Sequence, residues 1–296
     1  MTEHRTGERR DPVGDPVPGA TPGPDPSGPS GRPARPAGSA ARGVFVVLEG
    51  VEGAGKTTQL ARLAAWLEAA DVPVRKGREP GGTALGEAVR AVLLDRAELD
   101  MAPESELLLM LAARSAFVRE VVRPALASGA IMLADRFETS TFAYQGYGRG
   151  LPMDQIRRLN TFATGGLRPD LVVILDLPAS EGRDRQQREG KDADRIERGG
   201  EAFHERVAGG YRELGASDPA AVLVDARGDE GIVHGRIVET LAPLLRSSFP
   251  ELRTGPGGLT QEDRRPDPNP DPNPDPRFAT DVSASRAAAP DSSDST

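Results

Sequence analysis

The sequence predicts an α/β fold in which a parallel sheet is covered by helices on both faces. Two observations support this fold class. Short apolar runs alternate along the chain with longer segments of helical periodicity, and a glycine-rich turn joins the first apolar run to the first helical segment. Such alternation is typical of βαβ units with buried parallel strands. Because ligands of such sheets bind at the carboxyl ends of the strands, we expect the functional residues to follow the strands.

Each element of this alternation is predicted from its own segment. Strands of consecutive apolar residues are predicted over residues 44–48, 72–74, 131–134, 171–175 and 221–224. Helices are predicted over residues 58–67, 83–94, 103–126, 152–163 and 231–245, with further helical stretches that begin at residues 178 and 201. The strands are recognised by short apolar runs and the helices by apolar positions three and four residues apart.

The two ends of the chain differ in composition from its middle. Residues 1–42 and 250–296 are rich in Pro, Gly, Ser and Asp, and residues 266–276 alternate proline with Asp or Asn. Such segments cannot bury enough apolar surface to offset their conformational entropy, so both ends are predicted to be disordered tails. Residues 43–249 remain, enough for one α/β domain with a sizeable core.

Composition excludes several classes of function. The formal net charge is −8 and no block of basic residues is present, so no nucleic-acid partner is expected. The absence of cysteine excludes disulfides and thiolate metal sites, and it fits a reducing cytoplasm. No apolar run approaches the length of a membrane span, and no signal-peptide pattern follows the N-terminal arginines. We therefore expect a cytoplasmic protein that does not associate with membranes.

The segment after the first predicted strand carries the clearest chemical signal. Residues 50–57 read GVEGAGKT and match the phosphate-loop pattern G-x-x-x-x-G-K-[ST] between a strand and a helix. Glycines let main-chain N–H groups face a phosphate, and the helix N-terminus adds positive potential. Lys56 supplies a charge for the outer phosphates, and Thr57 a hydroxyl ligand for Mg²⁺. A nucleoside triphosphate is the expected ligand, and a glycine-rich turn without a ligand is the alternative.

Charged residues also follow the third predicted strand. Asp135 is placed to reach magnesium directly or through water, as a Walker-B aspartate does. Arg136 beside it can bind a second phosphate, which favours Asp135 over Asp176, the competing acid after the fourth strand. The alternative for Asp135 and Arg136 is a helix cap with a solvated neighbour.

Two further arginine-bearing segments allow both a functional and a structural interpretation. Arg114 ends an apolar helical run, one turn after Met110 and two turns after Glu106. This face could hold a base and a phosphate, or Arg114 could extend along the helix surface with Met110 in the core. Residues 183–198 are dense in charges. They form either a solvated helix face or a mobile lid that brings arginines to a transferring phosphoryl group.

Together these motifs resemble the bacterial thymidylate kinases over residues 43–245. The shared motifs are EGVEGAGKTT at 49–58, REPGGT at 78–83, AAR at 112–114, DR at 135–136, TSTFAYQGYGRG at 139–150, RPD at 168–170 and DRIE at 194–197. The resemblance implies a five-stranded P-loop nucleoside monophosphate kinase fold and a homodimer. It also implies magnesium-dependent transfer of the γ-phosphoryl group of ATP to dTMP, which gives dTDP for dTTP synthesis.

The resemblance also implies roles for individual residues. It assigns ATP binding to Gly50, Val51, Glu52, Gly53, Ala54, Gly55, Lys56, Thr57 and Thr58. It assigns dTMP binding to Glu52, Arg78, Glu79, Pro80, Arg90, Met110, Arg114, Arg136, Thr141, Tyr144 and Gln145. Within these sets, Arg114 and Arg136 would hold the dTMP phosphate and base edge.

One subtype of the family carries its catalytic arginine in the lid and lacks an arginine in the phosphate loop. Gly53 occupies the loop position here, so Arg185 or Arg188 is expected to act in catalysis with Lys56 and Arg136. Met110 stands where many relatives stack a phenylalanine on thymine, which replaces stacking by a softer sulfur contact. The resemblance offers no role for the two tails.

Two other functions are compatible with parts of the sequence. A different small P-loop kinase could act on a nucleoside or a metabolite hydroxyl, but Arg78, Arg114 and Arg136 favour a phosphorylated acceptor. A GTP-dependent switch is the alternative from a different class of protein. The absence of an Asn-Lys-x-Asp guanine-binding motif argues against such a switch.

Overall fold

A five-stranded parallel sheet organises the protein, which is described by a computed structural model over residues 43–96, 98–188, 190, 194–249, 252–255 and 258–261. The strands are β1 (Val44–Gly50), β2 (Val74–Arg78), β3 (Ile131–Asp135), β4 (Leu171–Asp176) and β5 (Ala221–Asp225). Their order across the sheet is β2-β3-β1-β4-β5. The predicted fold class is therefore confirmed.

Helices connect the strands. They are α1 (Lys56–Glu68), α2 (Ala84–Arg90), α3 (Pro103–Phe117), α4 (Arg123–Ala127), α5 (Glu138–Thr141), α6 (Met153–Thr164), α7 (Ala179–Arg188), α8 (Glu201–Ser217) and α9 (Glu230–Ser248). π-Helical turns extend α2 over Ala91–Asp95, join α3 to α4 over Val118–Val122 and extend α5 over Phe142–Gly148. A single 3₁₀ turn, Glu197–Gly199, precedes α8.

The central strand β1 divides the core into two layers. Val44, Val46 and Leu48 belong to the larger apolar cluster on one face of the sheet, whereas Phe45 and Val47 belong to the cluster on the other face. All five side chains are buried, because a central strand with helices on both faces has no solvent-exposed side. This burial accounts for the continuous apolar run from which β1 was predicted.

The sheet topology places the ends of β1, β3 and β4 beside one another. Leu48 of β1 is in register with Asp135, the last residue of β3, and Glu49 is in register with Ile174 of β4. The chain leaves β1 with β2 and β3 on one side and β4 and β5 on the other. Ligands of open α/β sheets bind at such a switch point.

Two predicted elements differ from the observed ones. The second strand was predicted over residues 72–74 but runs over Val74–Arg78. It is an edge strand with exposed polar residues, so its apolar signal is short. The helix predicted over residues 103–126 contains a π-helical turn just before Pro124, because proline has no N–H for the regular helical hydrogen bond.

A short hairpin lies within the predicted C-terminal tail. Strand β6 (Leu252–Gly255) pairs antiparallel with β7 (Gly258–Gln261). The disorder prediction rested on the average composition of residues 250–296, in which two four-residue strands leave little trace. The remainder of both predicted tails lies outside the described residues, and the boundaries at 42 and 249 stay predictions. Within the described part of the chain, no helix is long and apolar enough to cross a membrane.

Candidate active site

The phosphate loop connects β1 to α1 and depends on three glycines. Gly50, Gly53 and Gly55 have φ angles of 134°, 70° and 88°, a region that residues with a side chain rarely adopt. Lys56 begins α1 and is buried under the loop, where its Nζ donates to the carbonyl of Val51 at 2.8 Å. Burial, reinforced by the charge of Arg136, lowers the pKa of Lys56. The loop therefore wraps the lysine as a phosphate-binding loop requires.

Two oxygen ligands for a cation meet where the first turn of α1 approaches the end of β3. The hydroxyl of Thr57 donates to the Asp135 carboxylate at 2.6 Å. Asp176, the competing candidate, accepts instead from the Nε of Arg212 at 2.9 Å. No cluster of three His, Cys, Asp or Glu side chains suited to a metal occurs among the described residues. A pair of hard oxygen ligands fits Mg²⁺, which keeps several waters and substrate oxygens in its shell.

A cleft with a volume of about 150 Å³ opens at the same edge of the sheet. Most of the predicted dTMP-site residues line it, namely Glu52, Glu79, Pro80, Arg90, Met110, Arg114, Arg136, Thr141, Tyr144 and Gln145. Five further residues line it, namely Leu94, Phe137, Ser140, Asp194 and Ile196. Ser140, Asp194 and Ile196 belong to motifs shared with the family, whereas Leu94 and Phe137 carry no signal in the sequence.

Arg136 is the best-fixed cation of the cleft. Its φ of 73° is unusual for arginine and turns the chain sharply after β3. Nη1 donates to the carbonyl of Gly50 at 3.1 Å, to the Ser140 hydroxyl at 3.0 Å and to the Tyr211 hydroxyl at 3.0 Å. Nη2 donates to the carboxylate of Glu52 in the phosphate loop. The helix-cap interpretation of this segment does not account for these contacts.

Glu52 is ionised in this arrangement. Burial alone would raise its pKa, but the charges of Arg136 and Lys56 and a hydrogen bond from Tyr144 lower the pKa of Glu52 to about 2. In turn, burial would lower the pKa of Arg136, but the Glu52 carboxylate holds it well above its ordinary value. The pair is therefore a fixed ion pair that joins the phosphate loop to the cleft.

A buried carboxylate, that of Glu49, binds the groups around Arg136. Glu49, the penultimate residue of β1, accepts from the main-chain N–H groups of Phe137 and Ser140 at 2.8 and 3.1 Å. It also accepts from the Ser140 hydroxyl at 2.6 Å and from the Tyr211 hydroxyl at 3.0 Å. Burial raises the pKa of Glu49 despite these contacts. Tyr211 comes from α8, and the sequence analysis assigned it no role.

Arg114 is buried, so the interpretation that placed it at the helix surface is wrong. Its side chain is 2% exposed, and Nε donates to Glu79 at 2.8 Å. Nη1 donates to Asn160 at 2.9 Å and Nη2 to the carbonyl of Phe137 at 3.0 Å. Burial raises the pKa of Glu79 to about 7, and Arg114 counteracts this rise only in part. Met110 lies half-buried in the cleft wall.

The far end of the cleft is built around Glu106. Gln145 donates to this buried carboxylate at 2.9 Å, and Arg149 donates to both of its oxygens. Arg195, from the segment after α7, donates to it at 2.6 Å. Burial would raise the pKa of Glu106, but hydrogen bonds from Arg149, Gln145 and Arg195 lower it. Arg195 therefore fastens this segment to the acceptor side.

One predicted substrate residue lies outside the cleft. Arg78 ends β2 and donates to the exposed carboxylate of Glu87 at 2.9 Å. Its role as a dTMP ligand is not supported by this geometry. Arg90, by contrast, lines the cleft and donates to the carbonyl of Pro80 at 3.0 Å.

The arginines predicted to lie in a lid are on α7. Arg185 donates to the carbonyl of Gly53 at 3.5 Å and to the carbonyl of Ala226 at 3.1 Å, so its guanidinium is beside the phosphate loop. Arg188, the last residue of the helix, is exposed. Arg183 pairs with Glu201 of α8 at 3.3 Å.

Comparison with known proteins agrees with this site. A family model described as thymidylate kinase matches residues 48–237. The thymidylate kinase of Desulforudis audaxviator is 52% identical over 206 residues, which are 69% of this chain and 92% of that protein. The thymidylate kinase of Pseudomonas fluorescens is 47% identical over 204 residues, or 69% of this chain and 96% of that protein.

A solved structure is similar as well. The crystal structure of thymidylate kinase from Ehrlichia chaffeensis superposes with a TM-score of 0.56 and 30% sequence identity. The match covers 68% of this chain and 99% of that one. The motifs and the cleft lie within the residues that the family model matches, and the chain belongs to the thymidylate kinase family.

Proposed function

We propose that three groups of residues divide the work of this thymidylate kinase, which transfers the γ-phosphoryl group of ATP to dTMP and releases dTDP and ADP. The observation that carries the proposal is the ion pair between Glu52 and Arg136. Glu52 belongs to the phosphate loop and Arg136 to the acceptor cleft, so the donor and acceptor phosphates would meet at this pair.

The donor group is the phosphate loop. Lys56 and the N-terminus of α1 would bind the outer phosphates of ATP, because both present positive charge to an anion. Thr57 and Asp135 would hold Mg²⁺, which supplies charge neutralisation to the phosphates when it is bound. This assignment follows from the 2.6 Å contact between their oxygens at the end of β3.

The acceptor group is the cleft. Arg114 and Arg136 would bind the phosphate of dTMP, and Thr141, Tyr144, Gln145 and Met110 would surround its sugar and base. An oxygen of that phosphate attacks the γ-phosphorus of ATP as the bond to the β–γ bridging oxygen breaks. A phosphate monoester with a second pKa of about 6 is already deprotonated at neutral pH, so no general base is needed. Glu52, which stays ionised, therefore orients Arg136 and accepts no proton.

The third group is the lid. Charge spreads over the transferring phosphoryl oxygens, and Lys56 alone does not surround them. Gly53 leaves the loop without an arginine, and Arg185 lies 3.5 Å from the carbonyl of that same residue. Arg185 is accordingly the first candidate for the cation of the transition state. Arg188 is the second, since it lies one helical turn further on.

Substrate selectivity tests the assignment. ADP release should be fast with dTMP, slower with dUMP, which lacks the methyl contact, and near background with AMP, GMP and CMP. Lys56→Ala should abolish turnover while the protein stays folded, because Lys56 contacts the phosphate loop and Glu52 rather than the apolar core. Turnover with AMP equal to that with dTMP would contradict the proposal.

Alanine variants test the lid. Arg185→Ala or Arg188→Ala should lower kcat by on the order of a hundredfold with smaller changes in both KM values. Arg183→Ala is the matched control on the same helix, because its guanidinium is paired with Glu201. Parental kcat in both single variants and in their double variant would refute a catalytic lid.

A homodimer is also proposed, on the basis of exposed apolar residues. Leu85 of α2, Leu108 of α3 and Phe162 of α6 are 52%, 57% and 89% exposed, and these helices are neighbours. Such apolar exposure is typical of a contact between subunits. Light scattering should give a dimer for the full chain and a monomer for Phe162→Glu. Leu244→Glu is not a suitable control, because Leu244 packs on the core. Ile232→Glu is the suitable control, because Ile232 is also an exposed apolar residue, at 50%, but lies on α9 outside this group of helices.

A further inference from the structure

Helix α7 and the phosphate loop touch through their main chains. A β-carbon on Gly53 would lie 2.1 Å from the carbonyl oxygen of Gly182, and one on Gly182 would lie 2.1 Å from the carbonyl oxygen of Glu52. Neither position has room for a side chain unless one of the two segments moves. Gly53 also needs its positive φ, but Gly182 lies inside a helix, so this contact is the reason for a glycine there.

This contact anchors the described helix to the phosphate loop. Gly182 is the buried residue of α7, Ala179 packs against the core at the start of the helix, and the other residues of the helix are polar. The ion pairs from Arg183 to Glu201 and from Arg227 to Glu181 are exposed or half-exposed. Exposed pairs contribute little to the position of an element because water and salt screen them.

The same contact brings Arg185 to the donor site. Arg185 follows Gly182 by three residues and therefore lies on the same face of α7. Its guanidinium donates to the carbonyl of Gly53, the other member of the glycine pair, and to the carbonyl of Ala226 after β5. A shift of α7 away from the loop would carry this guanidinium with it.

We propose that Gly182 is a positioning residue for phosphoryl transfer, because its missing side chain lets α7 seat on the phosphate loop and hold Arg185 beside the donor phosphates. The proposal rests on the catalytic role proposed for the lid arginine. It also explains why the loop has no arginine at position 53. A side chain there would meet the main chain of Gly182, so a cation in the loop and a seated α7 exclude one another.

The decisive variant is Gly182→Ala. Alanine is the better helix former, so helix propensity alone predicts no loss of function. The added β-carbon should push α7 off the loop and lower kcat on the order of tenfold, with KM for dTMP changed less than about twofold. The KM for dTMP should stay nearly constant, because no described residue of α7 lines the acceptor cleft.

Gly209→Ala in α8 and Gly235→Ala in α9 are matched controls. A β-carbon at either helical position meets no atom within 4 Å. Both variants should keep the parental kcat and melting temperature. The double variant Gly182→Ala with Arg185→Ala should be as slow as Arg185→Ala alone, because both changes remove the same cation. A loss equal to the product of the two single losses would overturn the positioning role.

Limited trypsin digestion separates the two proposals without measuring activity. Gly182→Ala should be cut faster after Arg183, Arg185 and Arg188 than the parent, whereas Gly209→Ala should not. If Arg185→Ala keeps the parental kcat but Gly182→Ala is cut faster, the catalytic role fails and the seating of α7 stands. If Arg185→Ala is slow while Gly182→Ala matches the parent in kcat and digestion, the positioning role of Gly182 is overturned.

Discussion

The proposed acceptor cleft and the proposed lid both carry arginines, but they hold them in different ways. Arg114 and Arg136 have side chains that are 2% and 14% exposed, and each is paired with a carboxylate. Arg185 donates to two main-chain carbonyls, and Arg188 is exposed. Moving a cleft arginine would strand a buried carboxylate, whereas moving a lid arginine breaks only weak contacts.

This difference shows that preorganisation of the arginines and stability of the fold are coupled in the cleft but separate on α7. The acceptor side fixes its cations before substrate arrives, so little reorganisation is required during the reaction. Its ion pairs are part of the folded core. The arginines of the proposed lid contribute little to the fold, which would allow α7 to move for nucleotide exchange.

The largest expected effect comes from Arg136→Met. The variant leaves the Glu52 carboxylate with only Lys56 and the Tyr144 hydroxyl as partners, so the free energy of unfolding should fall by about 1.5–3 kcal/mol. The kcat/KM for dTMP should fall by about a thousandfold, since the cation that faces both substrates is lost. Urea unfolding and steady-state kinetics measure the two effects.

Arg188→Ala is the comparison on the lid side. It should lose activity while its free energy of unfolding changes by less than about 0.5 kcal/mol, as is usual for exposed side chains. Equal destabilisation of the two arginine variants would remove the distinction between cleft and lid.

The next largest effect concerns pH and Glu79. Burial raises the pKa of Glu79 from 4.5 to about 7. A carboxyl whose pKa is higher in the folded state stabilises the fold fully below its unfolded pKa and loses that contribution as the pH rises through its folded pKa. Between about pH 5 and pH 8 the parent should therefore lose about 1–3 kcal/mol of unfolding free energy relative to Glu79→Gln.

Glu181→Gln on α7 is the control for this titration. Hydrogen bonds from Arg227 lower the pKa of the exposed Glu181, so its replacement should leave the decline above pH 5 in place. Urea titrations across the range give the free energies. Parallel curves for the parent and Glu79→Gln would show that Glu79 does not titrate in this interval.

Much of the fold followed from the sequence because the interior strands β1, β3 and β4 are continuous apolar runs. The position of edge strand β2 was predicted wrongly, because its residues are polar and half-exposed and therefore give only a short apolar run. The phosphate loop and Arg136 were found because they follow strand ends, which parallel strands bring to one edge, whereas Thr141, Tyr144 and Gln145 were assigned by the family resemblance.

The partners of these residues could not be predicted, because they are distant in the sequence. Whether Arg114 is buried depends on Glu79 and Asn160, which are 35 and 46 residues away. Tyr211 reaches Arg136 across 75 residues. The contact between Gly53 and Gly182 cannot be recognised from a pattern of side chains in the sequence, because it depends on two residues that have no side chain.

A smaller effect is expected from Tyr211→Phe. The variant removes the hydroxyl that accepts from Arg136 and donates to Glu49, and it keeps the buried ring. The loss of about 1 kcal/mol should lower the kcat/KM for dTMP by about five- to tenfold. Tyr147→Phe is the control, because the Tyr147 hydroxyl bonds Glu213 away from the cleft. Equal effects of the two changes would show that Tyr211 does not act through Arg136.

The smallest expected effect is that of Arg78→Ala, which tests whether Arg78 lies outside the dTMP-binding cleft. Arg78 is 48% exposed and paired with the equally exposed Glu87, so its loss should cost less than about 1 kcal/mol of unfolding free energy. KM for dTMP should change by less than about twofold, because the ion pair lies outside the cleft and salt screens it. Arg90→Ala, which removes a guanidinium that lines the cleft, should raise KM for dTMP more than Arg78→Ala does. The opposite order would place Arg78 at the substrate and require β2 to move when dTMP binds.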